Sequence, residues 1–347
     1  MDRFSELSLT AQTAYAELLD QALHFDLTGH VGNLHGSFQK KTVKGRDYWY
    51  FAWRDLNGKV QQLYVGPDSE RVRKLLDDFE RARQPENRLV ELSRSFLALG
   101  GHETLFKHFK IIRRLAEYGL FKAGGVLIGT HAFLAMGNML GVRWGAGQLT
   151  HDVDFAHSGK HLSVALPSTL KVDVHDALTS LEMGFLPIST FESEIGAQYR
   201  NPSDPALRVD FVAPEHRRTG KAITSDSLNI ALQPLKFMEF SLEEVSQSLI
   251  VSRQGPVVVN LPHPARYAVH KLIVYGERPV RERTKAVKDL QQAACLANYY
   301  LAHEPDIFAA AWLDAVGRGT GWRKRAISGQ AALLKLAPEL DSPSLWG

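Results

Sequence analysis

Three carboxylates in the chain are spaced so that they could act together. Asp152 and Asp154 alternate in Thr150-His151-Asp152-Val153-Asp154-Phe155, and Asp210 falls in Leu207-Arg208-Val209-Asp210-Phe211-Val212. In a strand, side chains two apart point to the same side, so Asp152 and Asp154 project together. Asp210 lies inside an otherwise apolar strand with no paired base in the pattern, where a carboxylate is costly to bury. Three carboxylates converging from two neighbouring strands would repel one another unless a cation sat between them. Mg²⁺ (or Mn²⁺) suits such oxygen ligands and completes its shell with waters and substrate phosphates. Two such ions can clamp the attacking and leaving oxygens of an in-line phosphoryl or nucleotidyl displacement. Upstream, Val126-Leu127-Ile128 runs into Gly129-Thr130, and helical spacing follows from His131 to Leu140. A glycine turn that opens a helix offers backbone N–H groups, a hydroxyl and a positive helix end to a triphosphate.

Other candidate chemistries find less support. His131, His151, His157 and His161 lie near the Asp pair, but none gives a clean helix-spaced HxxxH or HxxEH pattern to build a closed zinc site; His157 and His161 are four apart, yet Ser158-Gly159 between them does not read as helix. His151 is better placed to orient Asp152 or to touch a nucleotide. There is no Gly-x-Ser-x-Gly elbow and no Walker-type Gly-Lys-Ser/Thr loop. Asp173-Val174-His175-Asp176 reads as a solvated helix face. Cys295, the single cysteine, sits in Ala293-Ala294-Cys295-Leu296-Ala297 and reads as core packing.

The elements that must position these residues are legible from periodicity. A helix is predicted over about residues 5–30. Strands follow over Gly36–Val43, Tyr48–Trp53 and Val60–Val65, with Asp55-Leu56-Asn57-Gly58 as a hairpin turn. Ser69 is placed to cap a helix reaching about Arg83, and Gln84-Pro85-Glu86-Asn87 reads as a linker. A helical stretch over 88–118 precedes the Val126 strand. Asp152–Phe155 and Leu207–Val212 are short strands, separated by a predicted helix over Val172–Met183 that Gly184 closes. Pro264 suits the first turn of a helix to Tyr275. Pro279 divides it from a second helix over about 281–300, and the remainder to about residue 338 is mostly helical.

An apolar strand, Gly-Ser or Gly-Thr, a helix, Asp-x-Asp, then a third Asp on a later strand: this order resembles the DNA polymerase beta-like nucleotidyltransferase superfamily. The matching residues are Gly129, Thr130, Asp152, Asp154 and Asp210. The Gly141–Gly147 loop accounts for the long spacing between Gly129 and Asp152. The downstream order resembles abortive-infection type bacterial nucleotidyltransferase toxins and their uncharacterised relatives, over about residues 100–300. The resemblance implies an α+β fold: a nucleotidyltransferase-like mixed sheet flanked by helices, an N-terminal helix with a three-stranded β-meander, and a helical C-terminal region. It implies Asp152, Asp154 and Asp210 as metal ligands and catalytic residues, with NTP as substrate. It places Gly129, Thr130, His131 and Lys271 on the nucleotide, and Asp289 near the acceptor or as a supporting acid. The expected organisation is 1–87 for the accessory helix and meander, 88–262 for the core and 263–347 for the helical part.

Composition bounds the partners. The 347 residues are 44% apolar and 23% charged, which excludes wholesale disorder. Lys and Arg total 41 against 38 Asp and Glu, a formal charge of +3, so neither a wholly basic binder nor an acidic tail is at hand. The near balance hides two basic segments. Residues 36–64 carry six Lys/Arg against two acids, interleaved with Tyr48, Trp49, Tyr50 and Trp53; residues 264–300 carry seven against three. Basic residues among aromatics suit nucleic acid, through phosphate contact and stacking; the same pattern also fits hairpin core with a wet charged face. One cysteine, a charged N-terminus and no apolar run of membrane length lead us to expect a cytoplasmic protein. Three functions compete: transfer of an NMP from an NTP to an acceptor hydroxyl on RNA (tRNA included), a protein or a small molecule; an inactive nucleotide- or nucleic-acid-binding regulator on the same core; and a metal-dependent phosphodiesterase. A cognate antitoxin or other partner protein goes with the toxin resemblance.

Overall fold

The computed structural model describes residues 3–28, 37–54, 60–146, 150–157, 171–188, 196–215, 222–279 and 286–347. In chain order these form β1 (Phe4–Glu6), α1 (Leu9–Thr28), β2 (Ser37–Val43), β3 (Arg46–Arg54), β4 (Val60–Pro67), α2 (Glu70–Ala98), α3 (Phe106–Glu117), β5 (Gly125–Ile128) and α4 (Gly129–Met139). They continue with β6 (Val142–Trp144), β7 (Asp152–His157), α5 (Val174–Thr179), β8 (Leu186–Ile188), β9 (Gln198–Asn201), β10 (Asp204–Pro214), β11 (Ile223–Ser225), β12 (Ile230–Leu235) and α6 (Met238–Leu242). The chain ends with β13 (Val245–Ser252), β14 (Gly255–Pro262), α7 (Pro264–Glu277), α8 (Val287–His303), α9 (Pro305–Gly317), α10 (Thr320–Leu336) and α11 (Pro343–Trp346). The fold is α+β.

The central sheet is mixed, in the order β11-β12-β10-β7-β5, with β9 and then β8 added beside β10. β10 runs parallel to β7 and β12; β5 runs antiparallel to β7. Alternation fixes the faces. Val153, Phe155, Val209 and Phe211 are buried, with the Phe155 and Phe211 rings stacked at 5.4 Å. The intervening Asp152, Asp154, Arg208 and Asp210 therefore share the opposite face. A one-residue slip would exchange the two sets, so burying the aromatic set holds the carboxylates in place.

α1 buries Ala11, Tyr15, Leu18 and Ala22 in one cluster with Leu89, Phe96, Leu249 and Val251, and Tyr15 shares a 2.9 Å hydrogen bond with Ser248. β1 pairs antiparallel with β6, Phe4 opposite Trp144. The 141–147 segment, expected as a loop, thus supplies a strand in its described part, because a partner 140 residues upstream satisfies its backbone. The segment 84–87, expected as a linker, lies within the helical span of α2. Pro85 removes one N–H from the ladder, but buried Phe79, Leu89 and Phe96 anchor the turns on either side. Ser69 caps α2, accepting from the N–H of Val72. The helix expected over 172–183 is shorter, because Asp173 caps α5 at its start and Ser180 ends it. The 55–58 turn lies outside the described residues.

The meander, in the order β2-β3-β4, packs Phe38 and Phe51 edge-on against Phe79 of α2. In the C-terminal part, α7 and α10 meet at glycines. A Cβ on Gly329 would sit 2.2 Å from the carbonyl oxygen of Leu272, and one on Gly276 2.2 Å from that of Arg325. Among the described residues no helix is long and apolar enough to cross a membrane.

Candidate active site

The sheet brings the three expected carboxylates onto one face. Asp152 lies opposite Arg208 and Asp154 opposite Asp210 across the parallel β7–β10 ladder. Arg208 donates from Nε and Nη to the two oxygens of Asp152 at 2.9 and 2.8 Å, a bidentate pair. Arg208, not weighed in the sequence, thus brings a base from this strand to the cluster, paired with Asp152 and not with Asp210. Arg208 stands two residues before Asp210, on the same face, and strand periodicity alone could have found it. Gln198 on β9, registered against Asp210, donates to its Oδ1 at 2.5 Å.

Among the described residues no cation is in hydrogen-bonding contact with Asp154. Burial, then the charges of Asp210 and Asp152, push its carboxyl up to about 7. Burial also raises Asp210 above the ordinary carboxylate range, with Gln198 and Arg208 holding it back. The site is thus a partly buried anionic pocket whose own cation, Arg208, is spent on Asp152.

The glycine turn lies directly against Asp154. Ile128 pairs with Asp154 across β5–β7, and Gly129 has φ +67°. A Cβ there would fall 2.2 Å from Oδ2 of Asp154, so only glycine lets the backbone approach this carboxylate. The C-terminal helices fix the turn from behind. Tyr267 of α7 donates to the carbonyl oxygen of Gly129 at 2.7 Å. Gln292 of α8 donates to Thr130 Oγ1 at 3.2 Å and lies 3.1 Å from the Tyr267 hydroxyl. The Thr130 hydroxyl, expected on the triphosphate, is buried and held by Gln292.

Lys271 and Asp289, matched from separate helices, do meet. Lys271 donates to Asp289 at 2.6 Å, and Arg278 reaches the other carboxylate oxygen at 3.3 Å. The Lys271 ammonium also lies 4.8 Å above the Tyr267 ring. Burial pulls the Lys271 pKa down, but Asp289 and Tyr267 outweigh it and hold it above its usual value. Burial pushes Asp289 up, but Lys271 outweighs it and keeps the carboxyl below its ordinary range. The field of Lys271 also reaches Asp154, where it opposes the upward shift.

A family model described as nucleotidyltransferase matches residues 107–317. The chain belongs to this nucleotidyltransferase family. The matched span runs from the second residue of α3 to the end of α9 and holds every residue of the site described above. α1, the meander and α10 lie outside it. A crystal structure of an antigenic nucleotidyltransferase-like protein from Paracoccidioides brasiliensis is similar with 15% identity and a TM-score of 0.35, covering 69% of this chain and 91% of that one. No curated protein matches the chain.

For a nucleotidyltransferase, an NTP substrate and a divalent metal follow from the family. The donor set fits a hard cation at Asp154 and Asp210, two carboxylates opposed across adjacent strands and both shifted toward the neutral acid. Asp152 fits less simply, since Arg208 holds both of its oxygens. Among the described residues no group of three His, Cys, Asp or Glu side chains is arranged to hold an ion. His131 is placed elsewhere on α4. It is buried edge-on against His108 at 4.8 Å, and neither ring has a hydrogen-bond partner among the described residues. Burial lowers their pKa values to about 3 and about 4, so both rings are neutral. Asp173 is a helix cap, and His175 meets the Tyr199 hydroxyl at 3.0 Å. Gln198, Tyr267 and Gln292 carried no sequence signal. Their roles come from register and from helices distant in the chain.

Proposed function

We propose that this nucleotidyltransferase family member transfers an NMP from an NTP to an acceptor hydroxyl, releasing pyrophosphate. The observation that carries the proposal is the carboxyl of Asp154, shifted to about 7 beside Asp210 and packed on a glycine turn that admits no side chain. A bound cation would relieve that repulsion. In this reading Asp154 and Asp210 would hold Mg²⁺ (or Mn²⁺), which would supply charge neutralisation at the triphosphate and lower the pKa of the acceptor hydroxyl. Asp152 would join them if its pair with Arg208 opened, which would free Arg208 to face phosphate. The Gly129 turn offers its N–H groups to the triphosphate, with its carbonyl held back by Tyr267. Lys271, fixed on Asp289, adds positive charge whose field reaches Asp154, and in this reading Asp210 takes the acceptor's proton. An RNA 3′ end such as that of tRNA is the favoured acceptor. A toxin role with a cognate antitoxin rests on the sequence resemblance alone.

A second reading has its own observation: both oxygens of Asp152 are engaged by Arg208 and the Thr130 hydroxyl by Gln292. That arrangement suits a regulator that binds nucleotide or nucleic acid without turnover. Incubating the protein with each α-labelled NTP, Mg²⁺ and bulk RNA or lysate separates the two. Label on the acceptor, lost in an Asp152→Ala/Asp154→Ala double variant, supports transfer. Nucleotide binding without label transfer supports the regulator.

A further inference from the structure

The meander sorts its aromatics by face. Phe38 and Phe51 turn inward onto Phe79. By register, Gln39 and Lys41 of β2, Arg46, Tyr48 and Tyr50 of β3, and Gln62 and Tyr64 of β4 share the other face. There the Tyr64 ring lies 5.5 Å from that of Tyr50 and 6.2 Å from that of Tyr48. Lys41 Nζ sits 4.7 Å over the Tyr50 ring and donates to Gln62, which donates in turn to Gln39 at 3.0 Å. Tyr64 is 52% exposed, and Gln39, Lys41, Arg46 and Gln62 are exposed. The described residues place no Asp or Glu on this face. Asp47 pairs with Lys40, and Asp68 with Arg73, away from it.

We infer that this outer face binds single-stranded RNA, the tyrosines stacking on bases and Lys41 and Arg46 meeting phosphates. A rimmed platform of rings with positive charge and no carboxylate is complementary to an unstacked polyanion. The tyrosine hydroxyls and the Gln39 and Gln62 amides provide partners for 2′-hydroxyls, which favours RNA over DNA. The binding requires no transferase activity; only its service as the acceptor's dock rests on the function proposed above.

The test is fluorescence anisotropy of a labelled single-stranded RNA with the full chain, without NTP or metal. A Tyr50→Thr/Tyr64→Thr double variant keeps β-forming side chains and is expected to weaken binding about tenfold or more. Lys41→Gln is expected to weaken it and to reduce the salt slope by about one. Lys335→Gln on α10 makes the same charge change far from the meander and is expected to change nothing. A thermal melt of each variant checks the fold, and Asp154→Asn is expected to keep full RNA affinity, which separates this inference from the catalytic one. Equal binding by the folded tyrosine variant, equal binding of duplex RNA or single-stranded DNA, or no RNA binding by the intact chain overturns it.

Discussion

Replacing Asp154 by Asn isolates the electrostatic strain at the carboxylate pocket. Burial, then Asp210 and Asp152, push the folded carboxyl up to about 7 from the ordinary aspartate value of 3.8. Between these values the folded chain keeps a proton that the unfolded chain has released. Stability therefore falls as pH rises through that window, at about 1.4 kcal/mol per pH unit, for a total of roughly 4 kcal/mol. Asn cannot ionise and is free of this slope. Urea unfolding of metal-free wild type and Asp154→Asn, at a series of pH values from 4 to 8, should give curves that separate with rising pH. The variant should become the more stable by up to about 4 kcal/mol at the alkaline end. Mg²⁺ should then restore wild-type stability at the alkaline end and leave the variant nearly unchanged. Parallel stability curves for the two proteins would refute the argument, because they would mean that Asp154 is ionised without penalty.

Further expectations follow from the neighbouring contacts. Gly129→Ala forces a Cβ against Asp154 Oδ2 at φ +67°; it should lower stability by about 2 kcal/mol in urea unfolding and abolish transfer, and a fully active, equally stable variant would contradict the close approach. Lys271→Met breaks a largely buried pair and leaves Asp289 to the longer Arg278 contact at 3.3 Å; it should cost about 3 kcal/mol, most of it regained in Lys271→Met/Asp289→Leu, and a double variant as unstable as the single one would show that the pair is not coupled. Arg208→Met frees both oxygens of Asp152 and should tighten Mg²⁺ binding in calorimetry; unchanged or weaker binding would remove Asp152 from the ligand set.

Much of this arrangement was legible because it rests on period and spacing. Two-residue alternation put Asp152 and Asp154 on one side, and Val209 and Phe211 of the neighbouring strand marked the buried face opposite Asp210. Gly129 was recognisable as a turn, and the collision with Asp154 gives the physical reason. Ser69 at the start of α2 and Pro264 at the start of α7 were readable as local capping signals. What escaped depends on contacts between distant segments. Nothing local says that Gln292 reaches back 162 residues to Thr130, or that β1 pairs with β6 and turns an expected loop into a strand. Pro85 signalled a break, but packing on its flanking turns outweighed one missing hydrogen bond. Arg208, two residues before Asp210 and so on its face, stands in the sequence as well, and it decides how Asp152 is held.

A crystal of the full chain soaked with Mn²⁺ and a non-hydrolysable NTP analogue puts the site itself to the test. An anomalous peak between Asp154 and Asp210, with the triphosphate on the Gly129 turn and near Lys271, is the expected result. Nucleotide bound elsewhere, or Asp154 and Asp210 without metal at saturating Mn²⁺, would contradict it.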